Sequence, residues 1–188
     1  MDRLFKNAVE LSHKIIACAV GEGDVAVDAT AGNGWDTVFL AELVSDQGRV
    51  YAFDIQEQAL KNTEQKLKER NLLHRVQLIK DGHENMKKYI SEEVKAVMFN
   101  LGYLPGYDRT CITRPSTTIE ALDSALSLLK KGGLITIVIY IGHEGGIEES
   151  NSVMKFISQL PQSEWDVATI DFPNRKNFSP YLAAVQKR

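Results

Sequence analysis

The sequence predicts an α/β fold: a seven-stranded, mostly parallel sheet with helices on both faces and an antiparallel C-terminal hairpin. Three observations carry this. Short runs rich in Val, Ile, Leu and Phe alternate with stretches whose apolar residues recur every three or four positions. Strands joined through helices run parallel, because each crossover returns the chain to the same end of the sheet. The last two strand-like runs have no helix between them, so they pair antiparallel.

Taken in order, residues 3–20 place Leu4, Ala8, Leu11, Ile15 and Cys18 on one stripe of a helix that Gly21 and Gly23 end. Val25 to Asp28 is a short strand, followed by a glycine turn and a helix through Val38, Ala41 and Leu43. Arg49 to Asp54 is the second strand, and Gln56 to Asn71 a helix facing inward through Leu60 and Leu67. Val76 to Ile79, a helix near Glu84 to Ile90, and Lys95 to Asn100 repeat the unit. Residues 101–115 read as a loop, with Gly102, Pro105, Gly106 and Pro115. The stripe Ile119, Leu122, Leu126 and Leu129 is a helix closed by Gly132 and Gly133, and Leu134 to Ile141 is the most hydrophobic strand. A helix over 147–159 and strands Trp165 to Phe172 and Tyr181 to Gln186 complete the chain. The expectation is one domain over 1–188, with residues 1–21 packed on it as an N-terminal helix.

Composition narrows the function. With 188 residues, 44% hydrophobic, the chain buries a core large enough to fold without disulfides or structural metal. A net charge of −3 excludes a protein held to nucleic acid by bulk positive charge, while leaving room for a local basic face. Cys18 and Cys111 form no Cys-x-x-Cys pair, so zinc-ribbon and iron–sulfur sites lack ligands, no metal is expected, and both read as reduced buried thiols. The N-terminus mixes Lys6, Glu10 and Lys14 into its apolar positions, unlike a signal peptide. The longest apolar run, 134–141, is far short of the ~20 residues a membrane span needs. A cytoplasmic protein without a membrane partner is the expectation.

Ligands of an open α/β sheet bind beyond the carboxyl ends of its strands, and here those ends are polar. The first carries Asp28 and then Gly32-Asn33-Gly34, whose glycines let backbone approach a ligand. The second carries Asp54, 20 residues after Gly34, the spacing of a carboxylate that accepts both hydroxyls of a ribose. The third carries Asp81-Gly82-His83 and the fourth Asn100-Leu101-Gly102-Tyr103. Thr37 stands where a dinucleotide fingerprint has its third glycine, and no Tyr-x-x-x-Lys pair exists, which disfavours a nicotinamide dehydrogenase. No Gly-Lys dipeptide exists for a P-loop, and His143-Glu144 lacks the second histidine of a zinc protease.

These residues resemble the class I methyltransferases that use S-adenosylmethionine. Within that class they resemble the small rRNA-methylase-like group, whose characterised members methylate 5-aminomethyl-2-thiouridine at the tRNA wobble position. The resemblance covers nearly the whole chain. It is strongest at Asp28-Ala-Thr-Ala-Gly-Asn-Gly34 with Asp36-Thr37, at Ala52-Phe53-Asp54-Ile55-Gln56, at Asp81-Gly82-His83 and at Asn100-Leu-Gly-Tyr-Leu-Pro-Gly106. One departure is Thr30, in place of the first glycine of the usual Asp-x-Gly-x-Gly-x-Gly loop, which narrows the wall beside the turn.

The resemblance implies a Rossmann-like methyltransferase fold and roles for these positions. Asp28, Gly32, Asn33, Gly34, Asp36 and Thr37 would form the cofactor turn, with Asn33 at the methionine portion. Asp54 would hold the ribose, Ile55 and Gln56 would lie against adenine, the Asp81 carboxylate would accept the adenine amino group, and Gly82 and His83 would line the same pocket. Asn100 and Tyr103 would form the catalytic centre, with the Leu101 carbonyl also facing the substrate amine. Tyr107, Arg109 and Arg114 would contact RNA by stacking and phosphate pairing. His13 and His143 read as structural. The implied partner is the anticodon region of tRNA, and a homodimer is compatible with the sequence. Two alternatives stay open: methylation of an rRNA base or small molecule, and a nucleotide-binding module without catalysis.

Overall fold

The computed structural model describes residues 3–102, 113–176 and 179–188. Tyr103, Tyr107, Arg109 and Cys111 lie outside the described residues. The elements are α1 (Ala8–Ala17), β1 (Val25–Asp28), α2 (Trp35–Val44), β2 (Arg49–Phe53), α3 (Glu57–Glu69), β3 (Val76–Ile79), β4 (Val94–Asn100), α4 (Pro115–Leu128), β5 (Leu129–Ile139), α5 (Gly146–Ser158), β6 (Trp165–Ile170) and β7 (Tyr181–Lys187).

They build one seven-stranded sheet of order β3-β2-β1-β4-β5-β7-β6. β1 pairs with β2 on one side and β4 on the other, both parallel, while β7 runs antiparallel between β5 and β6. The chain thus steps outward from β1 through β2 to β3, then crosses back to lay β4 on the opposite flank of β1. That reversal opens a crevice above the carboxyl ends of β1 and β4, where an open α/β sheet binds its ligand.

Alternation along β4 shows why the sheet is covered twice. Val97 and Phe99 join Val27, Phe53, Leu122, Ile137 and Val153 beneath α4 and α5. Ala96 and Met98 point the other way, to Ile16, Ala26, Leu40 and Val44 beneath α1 and α2. A strand buried on both faces has no polar side to show, hence its continuous apolar run. Helix α1 completes the second layer by packing Ala8 and Leu11 on Val138, Phe172 and Leu182.

Several boundaries differ from the expected ones for local reasons. Helix α1 starts only at Ala8, because the Asn7 side chain caps it by accepting the Glu10 N–H at 2.7 Å. Leu4 and Phe5 are exposed, Ser12 and Ile16 take the buried positions, and Cys18 is exposed rather than a core thiol. The stretch read as a helix at 84–90 is a 3₁₀ turn over His83–Lys88. Gly132 and Gly133 do not end α4, which stops at Leu128 where β5 begins. They lie in the early part of β5, beside an irregularity in its pairing with β4 between Val94 and Ala96. Pro115 opens α4 at a position whose N–H would have no helical partner.

Ile137 is fully buried in β5, between β4 and β7. Ile137→Ala should destabilise the fold by about 2–5 kcal/mol, seen as a lower urea midpoint at unchanged slope.

Candidate active site

The site is assembled around β1. Asp28 is fully buried at its end. Its carboxylate accepts the Thr37 hydroxyl at 2.5 Å from α2 and the Thr30 N–H at 3.1 Å. Burial pushes this carboxyl from 3.8 up to about 7, with the charges of Asp36 and, to a smaller extent, Asp54 adding to the rise, while the Thr37 and Thr30 bonds oppose it. The Thr30 hydroxyl in turn accepts the Asn100 backbone N–H at 2.8 Å, which ties the glycine turn to the end of β4. A glycine at position 30 would leave that donor unmatched.

The turn is also tied to β2. Ala31 N–H donates to the Phe53 carbonyl at 2.8 Å, and Gly32 N–H to Asp54 at 2.9 Å. The other Asp54 oxygen accepts the Gln56 N–H at 2.8 Å. Burial raises the Asp54 pKa, and these backbone donors together with the neighbouring His83 oppose the rise. Gly34 has φ +78°, and a Cβ there would stand 2.9 Å from the Thr63 Cα, so only glycine fits between the turn and α3. The Asn33 side-chain oxygen accepts from Asn62 of α3 at 3.2 Å. Ile55 is 57% exposed, an apolar ledge beside Asp54.

Past β3, Asp81 accepts from Gly82 N–H, the Asn85 amide and the Tyr89 hydroxyl, each at 2.8 Å. The Tyr89 bond holds its carboxyl below the usual range, with the Asn85 and Gly82 donors contributing and burial opposing. Its carboxylate thus organises the start of the 3₁₀ turn. His83 is buried edge-on to Phe99. Burial lowers its pKa, so the ring is neutral at pH 7. Nδ1 lies 3.0 Å from the Ala29 carbonyl, which can only accept, so Nδ1 carries the proton and Nε2 is the lone-pair atom.

Past β4, Leu101 is buried and its N–H donates to Val138 at 3.0 Å. The Asn100 amide nitrogen lies 3.4 Å from one oxygen of Asp36, whose other oxygen lies 2.6 Å from Nε2 of His13. His13 stacks flat on Phe39, centroids 4.0 Å apart. Tyr140, past β5, is close enough for the Asp36 charge to help burial raise its pKa. Gly102 and Thr113 bond each other through Gly102 N–H to the Thr113 hydroxyl and Thr113 N–H to the Gly102 carbonyl, both at 3.0 Å. Buried Glu149 accepts the hydroxyls of Thr113 at 2.7 Å and Thr118 at 2.6 Å. Arg114 is exposed at the start of α4.

The structure therefore brings Asp28, Gly32, Asp36, Thr37, Asp54, His83 and Asn100 together past the carboxyl ends of the central strands, with Asp28 and Thr37 fully buried. Sequence reasoning missed the involvement of His13, Tyr140 and Glu149. His13 and Asp36 are 23 positions apart on different helices, and no spacing rule joins them. Glu149 sits in the first turn of α5, where an acidic residue is expected for the helix dipole alone.

S-adenosylmethionine fits these residues. A carboxylate oxygen has two lone pairs, so Asp54 can accept ribose hydroxyls besides its two backbone donors. Ile55 offers an apolar surface for a purine. The carboxylates of Asp28, Asp36 and Asp54, close enough that two of them shift the third, set a negative field suited to a sulfonium cation. Among the described residues no group of His, Cys, Asp or Glu is placed to hold a metal ion, and no helix is long and apolar enough to cross a membrane.

Fold and site together define an S-adenosylmethionine-dependent methyltransferase with a Rossmann-like sheet. A family model described as "Putative rRNA methylase" matches residues 50–186, and the chain belongs to this rRNA methylase family. The chloroplastic tRNA (mnm(5)s(2)U34)-methyltransferase of Arabidopsis thaliana is 39% identical over 97% of this chain and 70% of that protein. A Clostridium thermocellum crystal structure described as an rRNA methylase superposes with a TM-score of 0.96 at 52% identity, covering 98% of this chain and 99% of that one. A Streptococcus mutans methyltransferase solved in complex with SAH superposes with a TM-score of 0.91 at 40% identity, over 98% and 99% of the two chains.

Asp28 binds its proton more tightly folded than unfolded. Its contribution to stability is therefore complete below about pH 4 and is lost as pH rises through about 7. Asp28→Asn cannot ionise and keeps both an acceptor for Thr30 and a partner for Thr37. Raising pH from about 5 to about 8 should lower the thermal midpoint of the native protein more than that of the variant; parallel curves would refute the shift.

Proposed function

We propose that this enzyme methylates the exocyclic amine of an aminomethyl-modified uridine at the wobble position of tRNA. What carries this reading is a neutral amide, Asn100, pinned through its own backbone N–H to Thr30 of the cofactor turn. The related Arabidopsis thaliana enzyme, named for this wobble uridine, supports the choice of acceptor. When bound, S-adenosylmethionine supplies a methyl group that already carries its own leaving group.

The chain then has to align a nucleophile and keep its lone pair available. An alkylammonium has a pKa near that of lysine, about 10.4, so reaching the neutral amine at pH 7 costs about 4.6 kcal/mol. A carboxylate in direct contact would raise that cost. Asn100 offers a carbonyl oxygen instead, and the Leu101 carbonyl a second, so both accept an N–H of the amine without holding an extra proton. Water exclusion lowers the amine pKa further.

In this reading Asp54 holds the ribose hydroxyls, and Ile55 and Gln56 meet one side of adenine. Asp81, Gly82 and His83 line the other side, while Asp28, Gly32, Asn33, Gly34, Asp36 and Thr37 shape the turn around the methionine portion. Arg114 meets an RNA phosphate, and the same reading gives an acceptor role to Tyr103 and RNA-contact roles to Tyr107 and Arg109, which lie outside the described residues. The catalytic unit is the whole chain, 1–188, acting in the cytoplasm.

Labelled cofactor should pass its methyl to tRNA bearing the aminomethyl group and not to tRNA lacking it. Label appearing instead in rRNA or in a pool of small amines would replace this acceptor with another. Asn100→Asp places a charge on the amine, worth about 1.5–3 kcal/mol to the ammonium form, or roughly one to two pKa units. Transfer at neutral pH should fall about 10–100-fold, and the deficit should narrow as pH is raised through the ionisation of the amine; native rates would remove Asn100 from the site. Asp54→Ala should weaken S-adenosylhomocysteine binding by calorimetry about 10–100-fold, and unchanged affinity would remove Asp54 from the ribose.

A further inference from the structure

The Asn100 amide is chemically two-faced: rotated by half a turn, it offers N–H where it had offered oxygen. Only the oxygen is of use to an amine approached through its hydrogens. Something must therefore set the rotation, and the described surroundings contain one group able to do it. Asp36 lies 3.4 Å from the amide nitrogen, and a carboxylate accepts but does not donate. The amide must aim its NH₂ at Asp36, which sends the oxygen the other way.

Asp36 is itself held. It is buried at the start of α2, and His13 from α1 takes its second oxygen at 2.6 Å while lying flat on Phe39. Each member comes from a different element: α1, α2 and β4. A contact serving only to dock α1 would not need Asn100. Docking is already supplied by Leu11 on Val138 and by Ile16 among Leu40 and Val44.

We propose that Asp36 and His13 are positioning residues that fix the orientation of the Asn100 amide for methyl transfer. This rests on the reading in which Asn100 meets the acceptor. It gives α1 a part in the chemistry.

The test is a double-mutant cycle on the full chain, using as substrate whichever pool the native enzyme labels. Asp36→Asn keeps the shape but can present either a donor or an acceptor. Its kcat should fall about 10–100-fold, the worth of one hydrogen bond to a charged group, a larger loss than any in KM for the acceptor or in affinity for S-adenosylhomocysteine, since Asp36 also borders the cofactor turn. In an Asn100→Ala background the same change should cost less than about threefold, because nothing is left to orient. His13→Phe keeps the stacking on Phe39 and loses only the ring N–H. It should retain the native thermal midpoint and lose about 2–10-fold in kcat, which guards against misfolding of the Asp36 variant.

Native kcat in Asp36→Asn, a full further loss in the Asn100→Ala background, or a parallel loss of S-adenosylhomocysteine affinity would each overturn the proposal. A second readout needs no acceptor. The side-chain amide signals of Asn100 in the S-adenosylhomocysteine complex, identified by their absence in Asn100→Ala, should move in both Asp36→Asn and His13→Phe. Unmoved signals would overturn the proposal even if tRNA proved to be the acceptor. Moved signals with no methyl transfer to tRNA would support it and fault only the choice of acceptor.

Discussion

A carboxyl carried into the interior of a sheet must find hydrogen-bond partners there, and Asp28 finds them in Thr37 on α2 and the backbone of Thr30, which offset only part of a burial that pushes its pKa up to about 7. The other contacts of the site follow from this arrangement. Thr37 is drawn down onto β1, which sets the first turn of α2 and leaves Asp36 beside His13 and Asn100. Thr30 is held with its hydroxyl toward β4, where it receives the Asn100 N–H. One buried group thereby fixes the spacing between the glycine turn and the end of β4, although Asp28 itself reaches no solvent.

The same group gives the site its electrostatic character. Asp28, Asp36 and Asp54 crowd together, and hydrogen bonds partly relieve the repulsion. Such a field favours a cationic cofactor over its neutral demethylated product, so the charge lost in the reaction also helps release what is left. Folding stability is spent to maintain it, as expected where strained electrostatics serve a site.

The sheet was legible because each strand carries an apolar run and each helix a stripe, and the topology rules leave few ways to connect them. Asp54 was legible by its distance from Gly34, and Asn100 by its place past the fourth strand. The errors arose where a local signal competed with a tertiary one. Gly132 and Gly133 look like a helix stop, yet the pairing of β5 with β4 claims that stretch for the sheet. Glu84 to Ile90 has helical composition, but bonds from Gly82 N–H, Asn85 and Tyr89 to the Asp81 carboxylate hold it in a tighter turn over His83–Lys88. Cys18 fell on an apolar stripe, yet α1 ends at Ala17, so Cys18 is its C-cap and lies beyond the face that packs inward. His13 carries no sequence signal at all, since its meaning lies in two residues distant along the chain.

The mutual bonds of Gly102 and Thr113, anchored to the buried Glu149, make the chain leave and rejoin the scaffold at a fixed gate. Strand β4 and helix α4 are therefore insulated from whatever length or composition is inserted between those two residues. The fold is thereby divided into a framework and a tethered segment whose two ends are pinned to each other. In evolutionary terms, the ten positions between that pair are free to vary without disturbing the framework on either side.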